Sequence, residues 1–426
     1  MNPCLTLLAL IATAFIALQP ARGMAADLGD ACCGDLDDRI AELEATAARK
    51  GNRAVSLSIS GEVNRALLIW DDGTQSDAYV VDNAGPYEGS KLRFSGEGQL
   101  SSEWKSGFIV EVGFTDSSSL FVNQVNDEGA GETSFETRLA NWYIESERVG
   151  RLTVGQQSSA TDGITTIDLS RAQTDPVTWH NASFGIREKD GDYTGLTWGN
   201  VAWGLEGYKG DFVRYDTPVF YGFMASAAWG ENDSFDVALR VQKDLNTVRV
   251  AAGAGYLWVG DDSTVSLYPN DTVVESGSIS VMHVPTGLFG NLAGGRADIA
   301  REALINPDNP DEGTMWMGQA GIEKRVTPFG ATTLYGEYGQ YRDLMLGYSS
   351  FDGNNSPSLT GGSVAASTIS GTDVSRWGVG AVQQFDTAAL EMYAVFNHFE
   401  AQVQTTAGEV GTDPWYGVVV GSRLKF

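Results

Sequence analysis

From Val55 onward the chain alternates apolar and polar residues with a period of two, in runs of about ten residues separated by turn residues. Val55, Leu57, Ile59 and Val63 share one face, and Ser56, Ser58, Ser60, Glu62 and Asn64 share the other. A second run sets Leu92, Phe94 and Leu100, with Gly96 and Gly98, against Lys91, Arg93, Ser95, Glu97 and Gln99. A third has Phe108, Val110, Val112 and Phe114 on one side and Glu111 on the other. Successive side chains of a strand point to opposite faces, so this pattern specifies strands. A soluble sandwich would alternate in the same way, with its apolar side packed inward.

Run length and connections separate the two architectures. About ten residues is the length of a tilted membrane-spanning strand. Tight connections (Asp216-Thr217-Pro218, Val326 to Gly330, Phe385 to Ala388) alternate with long polar ones (Asn123 to Thr133, Asp298 to Gly313, Leu346 to Thr372). Short turns at one rim and long loops at the other are expected of an outer-membrane barrel. Aromatic residues gather near run ends: Trp70, Phe114, Trp142, Tyr143, Trp229, Tyr256, Trp258, Tyr335, Tyr393 and Phe396. They are expected to form belts at the membrane interfaces.

The expected fold class is all-β, a membrane-spanning antiparallel β-barrel of about sixteen strands over residues 54–426, with a short N-terminal helix. Five strands precede residue 158. A long irregular segment follows, from Ser158 to about Gly210. Sixteen strands leave an aqueous lumen, whereas eight would be filled by side chains.

Ahead of the barrel, Leu5 to Leu18 is an apolar run of signal-peptide length, and small residues follow at Ala21, Gly23, Ala25 and Ala26. Cleavage is expected between residues 23 and 26, although the first residues lack Lys or Arg. The run is too short to span a bilayer, and no later segment is long and apolar enough for a spanning helix. Within an N-terminal segment, 27–53, residues Asp35 to Lys50 contain no Gly or Pro and place Leu36, Ile40, Leu43 and Ala47 on a heptad seam. Asp35, Asp37 and Asp38 suit the helix start, and Gly51 stops it. Two heptads are too few to stand alone. They fit a periplasmic coiled coil in an oligomer, or an amphipathic helix packed on the barrel. Cys32 and Cys33 are adjacent. A strained vicinal disulfide, an intermolecular link and two free thiols all remain open.

Charge excludes one class of partner. The chain carries 28 Lys and Arg against 55 Asp and Glu, for a formal charge of −27. Loss of Arg22 with the signal leaves about −28. No nucleic-acid partner is expected, because phosphate binding needs clustered cations. His180, His283 and His398 have no ligand-like spacing, so no metal site is expected of them. The glycines of Gly253 to Gly260 fall in strands, and no Gly-Lys-Ser/Thr follows. Asp261, Asp262, Asp308, Asp311 and Glu312 do not match a helix-loop-helix calcium pattern. No nucleophile–base arrangement is legible, and neither an enzyme nor a cofactor is expected.

In the last run Tyr416, Val418, Val420, Leu424 and Phe426 face one way and Gly417, Val419, Gly421, Arg423 and Lys425 the other. The ending resembles the C-terminal signal of bacterial outer-membrane proteins, read by the barrel-insertion machinery, with Phe426 as its terminal aromatic.

Several segments resemble the Gram-negative general porins, especially the alphaproteobacterial ones. Lys91-Leu92-Arg93-Phe94-Ser95-Gly96-Glu97 resembles the second-strand motif, and Thr137-Arg138-Leu139-Ala140 the fourth. Gly150 to Gln156 is similar to the fifth, with Gln156 where an arginine is usual. Val213 to Phe223 resembles the Arg-Tyr-Asp-Ser-Pro hairpin. His283 to Phe289 and Gly51 to Leu57 resemble segments of the alphaproteobacterial branch. The resemblance implies a homotrimer in the outer membrane of a Gram-negative bacterium, embedded in outer-membrane lipid and passing small hydrophilic solutes and ions by passive diffusion. It implies that the segment of about 158–210 folds into the lumen, with Asp162, Asp168 and Asp175 on the acidic side of a constriction. Lys91, Arg138 and Arg214 match the family's basic side, and Arg93 shares a face with Lys91. Glu62 and Glu97 also face the lumen. Glu62 stands where several relatives carry Lys, which weakens the basic wall and favours cations. A substrate-selective channel for sugars or small anions, and a surface adhesin or structural barrel, are the alternatives.

Overall fold

The computed structural model describes residues 55–82, 89–114, 118–128, 135–172, 181–230, 233–260, 268–300, 310–344 and 369–426. The expected signal peptide, Cys32 and Cys33, and the helix over 35–50 lie outside the described residues, as do Asp175, His180, Asp261, Asp262 and Asp308.

Alternating polarity becomes sixteen barrel strands. They are β1 (Ser58–Asp71), β2 (Lys91–Gln99), β3 (Lys105–Phe114), β4 (Phe135–Ser146), β5 (Gly150–Ser158), β6 (Lys209–Asp216), β7 (Phe223–Gly230) and β8 (Phe235–Leu245). There follow β9 (Val248–Val259), β10 (Thr272–His283), β11 (Leu288–Ile299), β12 (Glu312–Lys324), β13 (Thr332–Arg342), β14 (Ile369–Phe385), β15 (Leu390–Thr405) and β16 (Trp415–Lys425). Each pairs antiparallel with its sequence neighbours. The ring closes at β1, where Glu62 is opposite Lys91 of β2 and Lys425 of β16. Closure leaves no sheet edge unpaired, as a lipid environment demands. Short strands at Ser76–Val81 and Gly408–Val410 extend β1 and β15 beyond the ring.

The outward face is the apolar one. Val63, Leu67, Leu152, Leu239, Leu292, Leu334 and Leu424 are exposed, while the residues between them turn inward. A soluble sandwich would bury that face, so the exposed apolar band decides for a membrane barrel. Turn chemistry is concentrated at one rim. Gly287, at φ +76°, sits where a Cβ would come within 1.9 Å of the Glu323 carbonyl oxygen, so the β10–β11 turn requires glycine. The expected tight connections after Asp216, Val326 and Phe385 all fall at this rim. The connections at the opposite rim are longer, except that between β7 and β8.

The aromatic expectation needs correcting. Trp142, Trp229 and Tyr256 are exposed on the outer face. Trp70, Tyr143, Tyr335 and Tyr393 are buried and point into the barrel. Their phase decides it: Tyr143 is in register with the inward Asn141 and Glu145, and Trp70 with Glu62 and Asn64. Glycine on a neighbouring strand makes room for such rings. A Cβ at Gly380 would lie 2.2 Å from the Tyr335 ring, and one at Gly107 would lie 2.4 Å from that of Tyr143.

Between β5 and β6 the chain forms a hairpin (Gly185–Arg187 with Tyr193–Thr197) and the one-turn helix α1 (Trp198–Val201). Among the described residues no helix reaches seven residues.

Candidate functional site

Inward-facing charges on β1, β2, β15 and β16 form a ladder of alternating sign. Lys91 Nζ lies 3.3 Å from Glu62 Oε1, and Glu62 Oε2 lies 3.4 Å from Arg423. Arg423 donates to Glu391 at 2.5 Å. Glu391 is 3.6 Å from Arg171, whose other neighbour is Glu323, also at 3.6 Å. The rungs follow from pairing: adjacent strands place Glu62 opposite Lys91 and Glu391 opposite Arg423.

A second cluster centres on Glu111, only 2% exposed. Arg93 donates to its Oε2 through Nε at 2.7 Å, and Arg138 Nε donates to its Oε1 at 3.0 Å. Arg138 is the extra residue of a β-bulge: Glu111 is opposite Leu139, but Val112 is opposite Thr137. Bulges re-aim side chains, and this one turns Arg138 onto the carboxylate. Gly113 leaves it room, since a Cβ there would be 2.8 Å from Arg138 Cδ.

The segment between β5 and β6 is tied to the inner wall along several strands. Asp236 of β8 accepts the Ala160 and Thr161 N–H groups at 3.0 and 2.6 Å. Arg240 donates to the carbonyls of Ala160 and Asp162 at 2.7 and 2.9 Å. On β10, Ser278 donates to the Ile164 carbonyl at 2.6 Å, and Ser280 accepts the Leu169 N–H at 2.9 Å. Arg171 then reaches β12 and β15. The glycines at 253 and 255 admit the segment: Cβ atoms there would lie 2.6 Å from Ile164 Cδ1 and 2.5 Å from Thr161 Cγ2.

The returning half is apolar. Phe184 meets Trp70 at 4.9 Å and Trp415 at 5.5 Å between ring centroids, and Trp198 meets Phe399 at 5.7 Å. Arg187 joins this core to the first loop through Asp72 at 2.9 Å, an ion pair buried on both sides.

The expected site residues fall into separate groups. Arg93 and Arg138 are brought together by Glu111, and Lys91 is joined to Glu62. Arg214 is apart, donating to Asp216 at 2.8 Å and to the Ser159 carbonyl at 2.9 Å. Each of the four cations thus meets a carboxylate. Asp162 is 3.4 Å from Lys209, and Asp168 accepts the Ser170 N–H at 2.6 Å. Glu97 is 3.1 Å from Lys105 and accepts the Tyr143 hydroxyl at 3.1 Å. Phe426 exchanges two backbone hydrogen bonds with Gly61, each 3.0 Å. His283 Nδ1 contacts Thr286 Oγ1 at 2.7 Å within a turn.

Reading the sequence missed Arg171, Glu323, Glu337, Arg376 and Glu391. Glu391 and Arg376 lie in the inward phase of their strands, which was the available signal. Arg171 had none, because it sits in irregular chain.

A closed sixteen-stranded barrel with a charged lumen and an apolar exterior is the architecture of a diffusion channel. The chain matches the Gram-negative porin family over residues 7–415. It belongs to that family. Solved structures agree on the fold. An anion-selective porin from Comamonas acidovorans superposes with a TM-score of 0.53 at 13% identity, over 87% of this chain and 100% of that one. OmpT, an outer membrane protein of Vibrio cholerae, does so at 0.52 and 12%, over 89% and 100%. Its trimer form gives 0.52 and 12%, over 88% and 100%. No curated protein matches the chain. The porin resides in the outer membrane and forms a channel there. Family and fold point to a channel rather than an enzyme.

Proposed function

We propose that this porin is a passive, size-limited channel for small hydrophilic solutes with a weak preference for cations. The neutralised basic side carries the reading. Lys91 faces Glu62, Arg214 faces Asp216, and Arg93 and Arg138 share Glu111, with Glu136 3.5 Å from Arg138, so little net positive field remains to attract anions. Charge around a narrow aqueous gap biases ion flux, so the placement of these groups in a lumen fits a role in permeation. Asp162, Asp168 and Asp175 would supply the acidic side of the constriction.

The working unit in this reading is a homotrimer of the alphaproteobacterial branch, exported by its signal peptide and inserted through the strand ending at Phe426. Residues 35–50 would form its periplasmic helix. The apolar core around Phe184 and Trp198 favours, as second reading, a narrower substrate-selective channel. Liposome swelling with sugars of increasing size separates the two. A smooth decline of rate with size supports general diffusion; entry of one sugar far above others of equal size contradicts it.

A further inference from the structure

The lumen changes character along its length. Toward the short-turn rim inward positions carry charge, as at Glu62, Glu323, Glu391 and Arg423. Toward the long-loop rim the barrel turns apolar side chains inward, and Trp70, Leu257, Val274, Met315, Tyr341 and Trp415 are 0–3% exposed. They share one apolar cluster with Phe184, Ile186, Leu196, Trp198, Val201 and Leu205. Sixteen strands alone would leave this space to water. Here the return half of the segment between β5 and β6 fills much of the long-loop end with a packed core.

That core is one body with three of the long connections. Glu188 forms an antiparallel β-bridge with Thr412 of the last connection. The Lys189 N–H donates to the Gly411 carbonyl at 3.2 Å, and the Asp413 N–H to the Arg187 carbonyl at 2.9 Å. In the second connection, the Gln124 amide accepts the Gly185 N–H at 3.0 Å and donates to the Gly185 carbonyl at 2.8 Å. The same amide donates to Asp72 at 3.1 Å. Arg187 closes the body onto the first connection, with Asp72 at 2.9 Å and Gln75 at 2.7 Å, and lies 3.7 Å over the Tyr193 ring.

We infer that this body is an outer size filter, separate from the charged constriction proposed above. It is latched by the buried Asp72–Arg187 pair, and it sets the largest solute that enters. A loop held only at its ends would yield to a solute. A hairpin paired to the last connection, clasped by the second and latched to the first presents a fixed edge. The filter is apolar and packed, so it selects by size, while the charged positions nearer the short-turn rim act on ions. The inference rests on the channel reading above.

Liposome swelling with sugars of increasing size tests it in the full-length porin. Asp72→Asn and Arg187→Met each leave one buried charge without its counter-charge, which loosens the body, whereas the double variant removes both. Phe184→Ala loosens the core without touching the pair. Heat-modifiable gel mobility first confirms that each barrel is folded, and hydrogen exchange of the amides of residues 184–198 reads the loosening. In the three single variants these amides are expected to exchange faster. Entry of the largest sugars should rise several-fold, with little change for the smallest. The double variant should return both readouts toward those of the parent. Faster exchange with an unchanged size dependence would overturn the inference, and so would an equal rise for every sugar. Unchanged exchange in all three single variants would overturn it too, because the body would then not be held by these contacts. Absence of swelling with the unmodified protein would instead strike at the channel reading itself.

Discussion

Arg171, carried by the segment that leaves the barrel after β5, lies 3.6 Å from Glu391 on β15. The segment therefore crosses the lumen and is held at its far end by charge, with Glu323 as a second carboxylate and the Arg171 N–H donating to it at 2.9 Å. Arg171 is 40% exposed, so water screens this clamp. Removing it should cost no more than about 1 kcal/mol. Arg171→Gln is expected to leave the barrel folded while increasing current noise and mean conductance, read by single-channel recording.

Glu111 is the shared partner of Arg93 and Arg138. Glu111→Gln removes the negative charge and leaves two guanidinium groups facing the lumen. Reversal potential in a KCl gradient should move toward anion preference. Arg93→Gln should move it the other way.

Gly380 admits the Tyr335 ring at a distance no Cβ tolerates. Gly380→Ala forces that ring or the strand to shift, at a cost of about 1–3 kcal/mol. The folded form should convert to the unfolded form at lower temperature on heat-modifiable gels. Tyr335→Ala in the same chain should restore part of the loss.

Asp343 follows β13 at φ +53°, donating its N–H to the Thr372 carbonyl and accepting the Thr372 N–H at 2.7 Å. Burial raises its carboxyl pKa above the ordinary 3.8, nearby Asp373 adds to this, and the Thr372 hydrogen bond opposes it. The folded form thus holds the proton more tightly than the unfolded one. The resulting stability is fully present below about pH 3.8 and is lost as pH rises through the elevated folded value. Asp343→Asn keeps an acceptor and tolerates the left-handed backbone. It should raise the unfolding temperature at pH 7, with the gain shrinking as pH falls toward 3.8.

The barrel was legible because its determinants are local. Period-two alternation, the turn residues at Asp216, Val326 and Phe385, and five strands before residue 158 can be read without knowing what pairs with what. Pairing itself cannot. That Glu62 meets Lys91 and Arg423 depends on the register of three strands far apart in sequence, and Arg138 is aimed by a bulge that shows only against β3. Phase did carry information that position near a run end obscured, as the inward Trp70, Tyr143, Tyr335 and Tyr393 demonstrate. The core inside the lumen also left a trace: Phe184, Ile186, Leu196, Trp198, Trp203 and Leu205 are too apolar for a solvated loop.

Planar-bilayer recording of the purified mature protein, with reversal potential taken in a KCl gradient, tests the central claim. The account predicts ohmic conductance steps, grouped in threes, with a reversal potential of weak cation preference. Folded protein that inserts without conducting would contradict it, and would return the barrel to a structural or adhesive role.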